Sequence, residues 1–273
     1  MSNSMPRRQF TTNTMIYDAA TQPMPRVKQL MKKVPEVTAI FWVIKLLTTA
    51  MGESTSDYLV FHINPYVAVI TGCVGLIVSL VLQLMVRRYI PAVYWFAIVM
   101  VAVFGTMAAD VLHVVIGIPY LVSTTFFAIT LAIVFVAWYV SEKTLSIHSI
   151  YTRRRELFYW ATVMATFALG TAAGDMTAST LGLGYFASAI LFAVLFALPA
   201  VGYFLFGLNE VFAFWFAYVI TRPLGASIAD WLGKPPSISG LGFGDGRISL
   251  ILTVFIVILV GYLTVTQNKR LKG

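Results

Sequence analysis

Residues 41–57 read FWVIKLLTTAMGESTSD, and this stretch decides the fold because its pattern returns three more times along the chain. The later copies read YWFAIVMVAVFGTMAAD at 94–110, YWATVMATFALGTAAGD at 159–175 and FWFAYVITRPLGASIAD at 214–230. Each copy has an aromatic residue followed by Trp, then Gly ten residues after the Trp and Asp five residues after the Gly. The same spacing in four copies indicates an internal repeat.

The composition predicts that these repeats lie in a membrane. Of the 273 residues, 59% are hydrophobic and only 11% are charged, whereas a soluble domain has about 25% charged residues. A helix needs about 20 apolar residues to cross a bilayer, and eight stretches approach this length. They lie at about 37–60, 65–86, 91–115, 119–140, 157–178, 184–206, 210–232 and 248–267. We therefore predict an all-α membrane protein with eight transmembrane helices.

The repeating unit is predicted to be a pair of helices, because each copy of the pattern lies on an odd-numbered stretch. The units cover about 37–88, 89–145, 154–208 and 209–267, between tails at 1–36 and 268–273. Two crossings return the chain to its starting side, so all four units should run parallel. Polar pattern residues occur only on odd-numbered helices. We therefore expect those helices inside the bundle and the even-numbered helices against lipid.

The basic residues predict the orientation, because cytoplasmic loops are enriched in Lys and Arg. Of the 19 basic residues, 15 fall on one side of the predicted bundle. They are Arg7, Arg8, Arg26, Lys28, Lys32, Lys33, Arg87, Arg88, Lys143, Arg153, Arg154, Arg155, Lys269, Arg270 and Lys272. Lys234 and Arg247 fall on the other side, and Lys45 and Arg222 fall within helices. Both termini are therefore predicted to be cytoplasmic.

Several functional classes find no support in the sequence. The basic residues are divided among short loops, so nucleic-acid binding is not expected. The single cysteine, Cys73, lies in an apolar run and excludes disulfides and thiolate metal sites. No nucleophile, zinc or nucleotide-binding motif indicates an enzyme or a tightly bound cofactor, and the predicted partners are the lipid bilayer and an inorganic cation or proton.

Carboxylates within the helices are the strongest candidates for a functional site. An Asp in the middle of a membrane helix costs a few kcal/mol, so four at equivalent positions are expected to face a shared interior. They are Asp57, Asp110, Asp175 and Asp230, and Glu53 adds a fifth carboxylate one helical turn before the first. Oxygen-rich sites suit hard cations such as Mn²⁺, Mg²⁺, Ca²⁺ or H⁺. The alternative is that these acids only neutralise buried bases or cap broken helices.

Three further side chains are assigned roles near these acids. Lys45 and Arg222 are predicted to be counter-ions that pair across helices and that a substrate cation displaces. His113 follows Asp110 by three residues, which is a metal-ligand spacing. Because His113 occurs in only one repeat, a structural role is the simpler interpretation.

The glycines and tryptophans of the pattern have simpler interpretations. A ten-residue step is about 15 Å of helix, which places the glycines near mid-membrane, where small residues allow close packing. A break in the helix is an equally good interpretation, and Pro223 favours a break in the fourth copy. The tryptophans should lie in the aromatic belt at the membrane interface. The four glycines are Gly52, Gly105, Gly170 and Gly225.

The first repeat also resembles a known family. The residues that carry the resemblance are Lys33-Val34-Pro35-Glu36-Val37-Thr38, Phe41-Trp42, Lys45, Thr49, Gly52-Glu53 and Asp57. They are similar to bacterial inner-membrane proteins built from a short repeat of unknown function, described as uncharacterised membrane-anchored proteins. The resemblance implies a multi-pass protein of the bacterial inner membrane and carries no established activity. The later repeats depart from it, with Thr106, Thr171 and Ala226 at the position of Glu53.

From these residues we predict a transporter for a hard cation such as Mn²⁺, coupled to protons and working in efflux. Five buried acids exceed two buried bases, and surplus carboxylates are stable only when protonated or when a cation enters. Efflux is favoured because the sequence has no substrate-capture domain. The alternative is a membrane sensor or scaffold whose basic residues at 1–36 and 141–156 bind a cytoplasmic partner, a role that does not need surplus buried acids.

Overall fold

The computed structural model describes residues 32–272, which fold into eight long helices without a β-strand. The first four are α1 (Ala39–His62), α2 (Pro65–Met85), α3 (Pro91–Asp110) and α4 (Tyr120–Glu142). The others are α5 (Arg153–Asp175), α6 (Gly184–Phe206), α7 (Glu210–Gly233) and α8 (Asp245–Lys272). Within this part of the chain, seven helices are long and apolar enough to cross a membrane. The protein is therefore a multi-pass, all-helical membrane protein.

α1 is not one of these seven, because charged and hydroxyl side chains interrupt its apolar residues. It has 24 residues, enough to cross a bilayer, but Lys45, Glu53 and Asp57 lie along it together with several Ser and Thr residues. Most of these polar side chains are buried by neighbouring helices. The polarity of α1 is therefore satisfied inside the bundle.

Local sequence sets where the helices begin. The Thr38, Asn64, Thr152 and Asn209 side chains each accept a hydrogen bond from a first-turn backbone amide, as N-cap residues do. α5 and α8 begin at Arg153 and Asp245, a few residues before the stretches predicted from hydropathy, because their first turns are polar. α8 also continues to Lys272, through most of the predicted C-terminal tail.

The segment before α1 packs against the bundle. Val34 and Pro35 are buried, and the Lys33 ammonium pairs with Glu156, which is fully buried at the start of α5. Gln83 Nε2 donates to the same carboxylate at 3.1 Å. Of the predicted tail at 1–36, residues 1–31 lie outside the described residues, and the following residues are part of the packed structure.

The helices form an inner ring and an outer layer. α1, α3, α5 and α7 contact one another in this order, and α7 contacts α1 to close the ring. Each outer helix packs chiefly on the inner helix of the next repeat: α2 on α3, α4 on α5, α6 on α7 and α8 on α1. In their most apolar windows, α3, α5 and α7 are 56–61% buried, whereas the outer helices are at most 28% buried. Odd-numbered helices are therefore inside, as expected.

Aromatic residues join the inner helices near their N-terminal ends. The first aromatic residue of each repeat packs on the Trp of the next one, with ring centroids 5.7–6.1 Å apart. These pairs are Phe41–Trp95, Tyr94–Trp160, Tyr159–Trp215 and Phe214–Trp42. Trp95, Trp160 and Trp215 are at most 5% exposed. The expected aromatic belt at the membrane interface is therefore wrong for these three tryptophans, which stabilise the centre of the ring.

The repeat glycines are contact points between neighbouring inner helices. A Cβ on Gly52 would lie 2.3 Å from Ala102 Cβ, and one on Gly225 would lie 2.0 Å from Thr49 Oγ1. Gly105 and Gly170 face Phe167 and Arg222 in the same way. In each pair, the facing residue lies three positions before the glycine of its own repeat. Glycine is required because the helices approach too closely for a side chain.

The inner helices are not broken at these glycines. α1, α3, α5 and α7 are continuous through them, and α7 also continues through Pro223. A change of helix type comes later, where Val111–Val115 and Met176–Thr180 form π-helical turns directly after Asp110 and Asp175. The interpretation of the glycines as helix breaks is therefore wrong. Wide turns of this kind are frequent at functional sites.

We predict that Gly225→Ala lowers the stability of the protein by about 1–3 kcal/mol, the usual penalty for overpacking. The added methyl would collide with Thr49, whose hydroxyl already donates to the Leu46 carbonyl. Thermal unfolding in detergent measures the effect. Gly261→Ala is the matched control, since no atom lies within 4 Å of its Cβ position. Equal melting temperatures for the two variants would contradict the close approach of α1 and α7.

Candidate carboxylate site

One arginine connects the four inner helices at the centre of the ring. Arg222 on α7 is fully buried. Its Nη1 donates to the Thr49 carbonyl at 2.9 Å, and its Nη2 donates to Glu53 Oε2 at 2.5 Å and to Thr171 Oγ1 at 2.8 Å. Nη2 also contacts Thr106 Oγ1. Glu53, Thr106 and Thr171 occupy the same repeat position, so the guanidinium lies where three equivalent positions converge.

Three of the predicted carboxylates lie together beside this arginine. One oxygen from each of Glu53, Asp175 and Asp230 lies within 4.8 Å of the other two. They come from α1, α5 and α7, and Glu53 and Asp230 are buried while Asp175 is half-buried. Several carboxylate oxygens at this spacing suit a hard divalent cation. The site therefore has the ligand type that the sequence predicted, on three different helices.

Lys234 is a base near the site. The sequence predicts only that Lys234 lies on the side of the membrane opposite most basic residues. It follows α7 directly, and its Nζ donates to Asp57 Oδ2 at 2.5 Å. The same ammonium lies 4.0 Å from Asp230 and 3.9 Å from Asp245. The spacing of four residues between Asp230 and Lys234 is the signal in the sequence for this contact.

The loop after Lys234 folds back over the end of α7. The amides of Leu241, Phe243 and Gly244 donate to carbonyls of the last turn at 2.7–3.1 Å. A helix end otherwise leaves these carbonyls without partners, so the loop is held in place by backbone bonds. It carries Lys234 on one side and leads into Asp245 on the other.

The remaining predicted acids have different surroundings. Asp57 is the partner of Lys234 and is not one of the three grouped carboxylates. Asp110 is half-buried at the end of α3 and interacts electrostatically with Glu53 and Asp175. Among residues 32–272, neither Asp110 nor Asp175 has an ion pair within 4.0 Å.

Lys45 does not pair with a carboxylate in the described part of the chain. It is fully buried, and its Nζ lies 4.0 Å from the Tyr218 ring centroid and 4.1 Å from that of Phe167. Rings on two sides stabilise an ammonium through their negative faces. Of the two predicted counter-ions, Arg222 therefore pairs with a carboxylate and Lys45 lies between aromatic rings.

His113 has its ring nitrogens engaged by neighbours in the following turn. Nδ1 lies 3.0 Å from the Ile118 carbonyl and Nε2 lies 3.3 Å from Ser123 Oγ. The ring also packs on Tyr120. This geometry matches the structural interpretation, in which His113 holds the start of α4 against the π-helical turn.

The fold and site define a helical membrane protein with a buried carboxylate site built from internal repeats. The chain belongs to the family described as Repeat of Unknown Function (DUF347), whose model matches residues 40–89, 93–144, 158–208 and 213–269. The family predicted from the first repeat is confirmed. Comparisons with curated proteins and with solved structures find no match.

We predict that Glu53→Gln destabilises the protein by about 3–5 kcal/mol, because it leaves Arg222 buried without its charged partner. Asp175→Asn should leave stability unchanged or raise it, since Asp175 has no basic partner within 4.0 Å in the described residues and removal of its charge lowers the burial penalty. Thermal unfolding of both variants in detergent tests this contrast. Equal losses would show that the two carboxylates serve the fold in the same way.

We also predict that the stabilisation provided by Lys234 persists at mildly alkaline pH. Burial alone would lower the pKa of Lys234, but the Asp57 and Asp230 carboxylates outweigh it, and the pKa is raised above its ordinary value. The stabilisation is therefore complete below the unfolded pKa of about 10.5 and is lost only above it. The melting-temperature difference between the parent and Lys234→Met should stay constant from about pH 8 to about pH 10. A difference that vanished in this range would contradict a raised pKa.

Proposed function

We propose that this protein transports a hard divalent cation such as Mn²⁺ across the bacterial inner membrane, in exchange for protons and in the direction of efflux. The observation that carries the proposal is the group formed by Glu53, Asp175 and Asp230. Three carboxylates from three helices, with one oxygen of each within 4.8 Å of the others, provide an oxygen site for a cation. A sensor or scaffold has no need of such a group.

The proposal includes the membrane arrangement. α1 also crosses the membrane, which brings the number of spans to eight. The four helix pairs run parallel, and both termini are cytoplasmic. Support comes from the inner helices, whose aromatic N-terminal ends contact one another and whose carboxylates approach one another at the other end. The predicted cytoplasmic residues Arg87, Arg88 and Lys143 lie beyond the ends of α2 and α4, in agreement with the positive-inside rule.

Charge balance supports a mechanism of displacement. Six acids lie at the carboxylate end of the ring in the described residues: Glu53, Asp57, Asp110, Asp175, Asp230 and Asp245. Glu53 pairs with Arg222, and Lys234 lies within 4.0 Å of Asp57, Asp230 and Asp245. An entering divalent cation would neutralise the surplus carboxylates or replace protons bound to them. Lys234 is the tethered cation that competes with it, because it lies on the loop and reaches the acids from outside the ring. Arg222 is held by four polar groups and keeps Glu53 in position.

The two ends of the ring differ in a way that suits alternating access. The aromatic end is filled by buried rings, including Tyr94 and Tyr159, whose hydroxyls contact each other. At the carboxylate end, the loop after Lys234 folds over the end of α7, and Asp110 and Asp175 are half-buried. A cation therefore enters the carboxylate site from the loop side in this conformation, and passage requires the aromatic end to open.

Reconstituted liposomes test the function. The parent protein should carry Mn²⁺ across the membrane with counter-movement of protons, and Asp175→Asn should reduce the flux at least about tenfold, because it replaces one of three charged ligands with a neutral one. Glu210→Gln is the matched control, since Glu210 is an exposed acid at the opposite end of α7 that pairs with His148. Both variants should melt near the parent. Flux by the parent no greater than in protein-free liposomes would overturn the proposal.

A further inference from the structure

We propose that an anionic phospholipid binds between α1, α3 and α8, with its phosphate at the aromatic end of the bundle and one acyl chain along the helices. Two adjoining cavities of different character carry this inference. One is a chamber of about 380 Å³ with basic and polar residues, and the other is an apolar groove of about 830 Å³. The inference does not depend on the proposed transport.

The chamber has the charge that a phosphate requires. Lys32 and Arg88 line it, together with one acid, Glu36. Arg88 and Glu36 are exposed and Lys32 is half-buried, so all three can adjust to a ligand. The balance of two bases to one acid favours an anion. Tyr89 also lines this chamber.

The groove suits a hydrocarbon chain because its walls are apolar and most of its hydroxyls are engaged. Thr55 and Ser249 share a hydrogen bond of 2.6 Å. Thr253 and Thr264 donate to backbone carbonyls of α8 at 2.7 and 2.8 Å. A polar solute would therefore find few free groups here. The groove runs along α8 from Ser249 to Val265, a length comparable to that of an acyl chain.

Trp95 connects the two cavities, since its side chain lines both of them. It is 1% exposed, so its ring is packed into the wall where the chamber and the groove meet. A lipid whose phosphate lies in the chamber and whose acyl chain lies in the groove therefore passes Trp95 at the junction of headgroup and chain.

The sequence supports an anionic rather than a neutral lipid. The chamber lies at the end of the bundle that the basic residues identify as cytoplasmic, and basic pockets on that side recognise anionic headgroups. A lipid with a single negative phosphate and an uncharged headgroup satisfies the two bases. A zwitterionic lipid would bring its own cation next to them.

Native mass spectrometry of the detergent-purified protein provides the test. Phosphatidylglycerol should bind with a stoichiometry near one and more tightly than phosphatidylcholine, and Arg88→Ala should weaken it about fivefold, which is the effect of one basic residue near a lipid headgroup. Arg87→Ala is the matched control, because Arg87 does not line the chamber. Equal affinity for the two lipids, or equal effects of the two variants, would overturn the proposal.

A second pair of variants tests the acyl chain. Gly261→Phe places a ring in the groove without meeting any atom within 4 Å of its Cβ, and it should weaken phosphatidylglycerol binding at least about tenfold by displacing buried methylenes. Ile258→Phe, on an exposed part of α8 outside the groove, should have no effect. Binding of glycerol phosphate alone with the affinity of the whole lipid would also overturn the proposal, since it would show a site for free phosphate.

Discussion

The close approach of inner helices at the four repeat glycines is the constraint on which the rest of the structure depends. Each glycine lies so close to the neighbouring helix that an added Cβ would crowd the residue facing it, and that residue occupies the same repeat position on every helix. The same contact therefore relates each inner helix to the next, and the contact between α7 and α1 closes the ring. A ring this narrow brings equivalent side chains together on its axis, so the residue types in each layer determine what the interior contains. Substitution in one repeat changes a whole layer.

The interior becomes asymmetric through a few such substitutions. The position after the glycine holds Glu53, two threonines and an alanine, and Arg222 reaches into this layer from the turn before. One acid and one base thus replace a symmetric set of four. Because Glu53 already neutralises Arg222, the four aspartates of the following turn have more negative charge than nearby basic residues balance. Lys234 from the loop neutralises only part of this charge. Repetition provides the scaffold, and departures from repetition provide the chemistry.

Much of the fold could be predicted because the repeat frame and hydropathy act on every helix in the same way. The inner position of odd-numbered helices follows from that frame, and so does the approach of Asp175 to Asp230. The frame does not indicate that Glu53, rather than Asp57 or Asp110, joins them. The surroundings of Lys45 and Lys234 could not be derived, because they depend on the rotation of neighbouring helices and on a loop present in one repeat. The tryptophans were misassigned because position along a helix does not determine which face they occupy. The buried ion pair of Glu156 could not be predicted, because its partner, Lys33, is 123 residues away in the chain.

The packing of α8 on α1 has a consequence for biosynthesis. The charges that make α1 polar meet Thr106, Arg222 and Lys234, all of which emerge from the ribosome later. Its outward face is covered by α8, which is also synthesised after it. The polar side chains of α1 therefore find their partners only after α7 and α8 have been made, and until then the new chain has to keep α1 near the translocon or at the membrane surface.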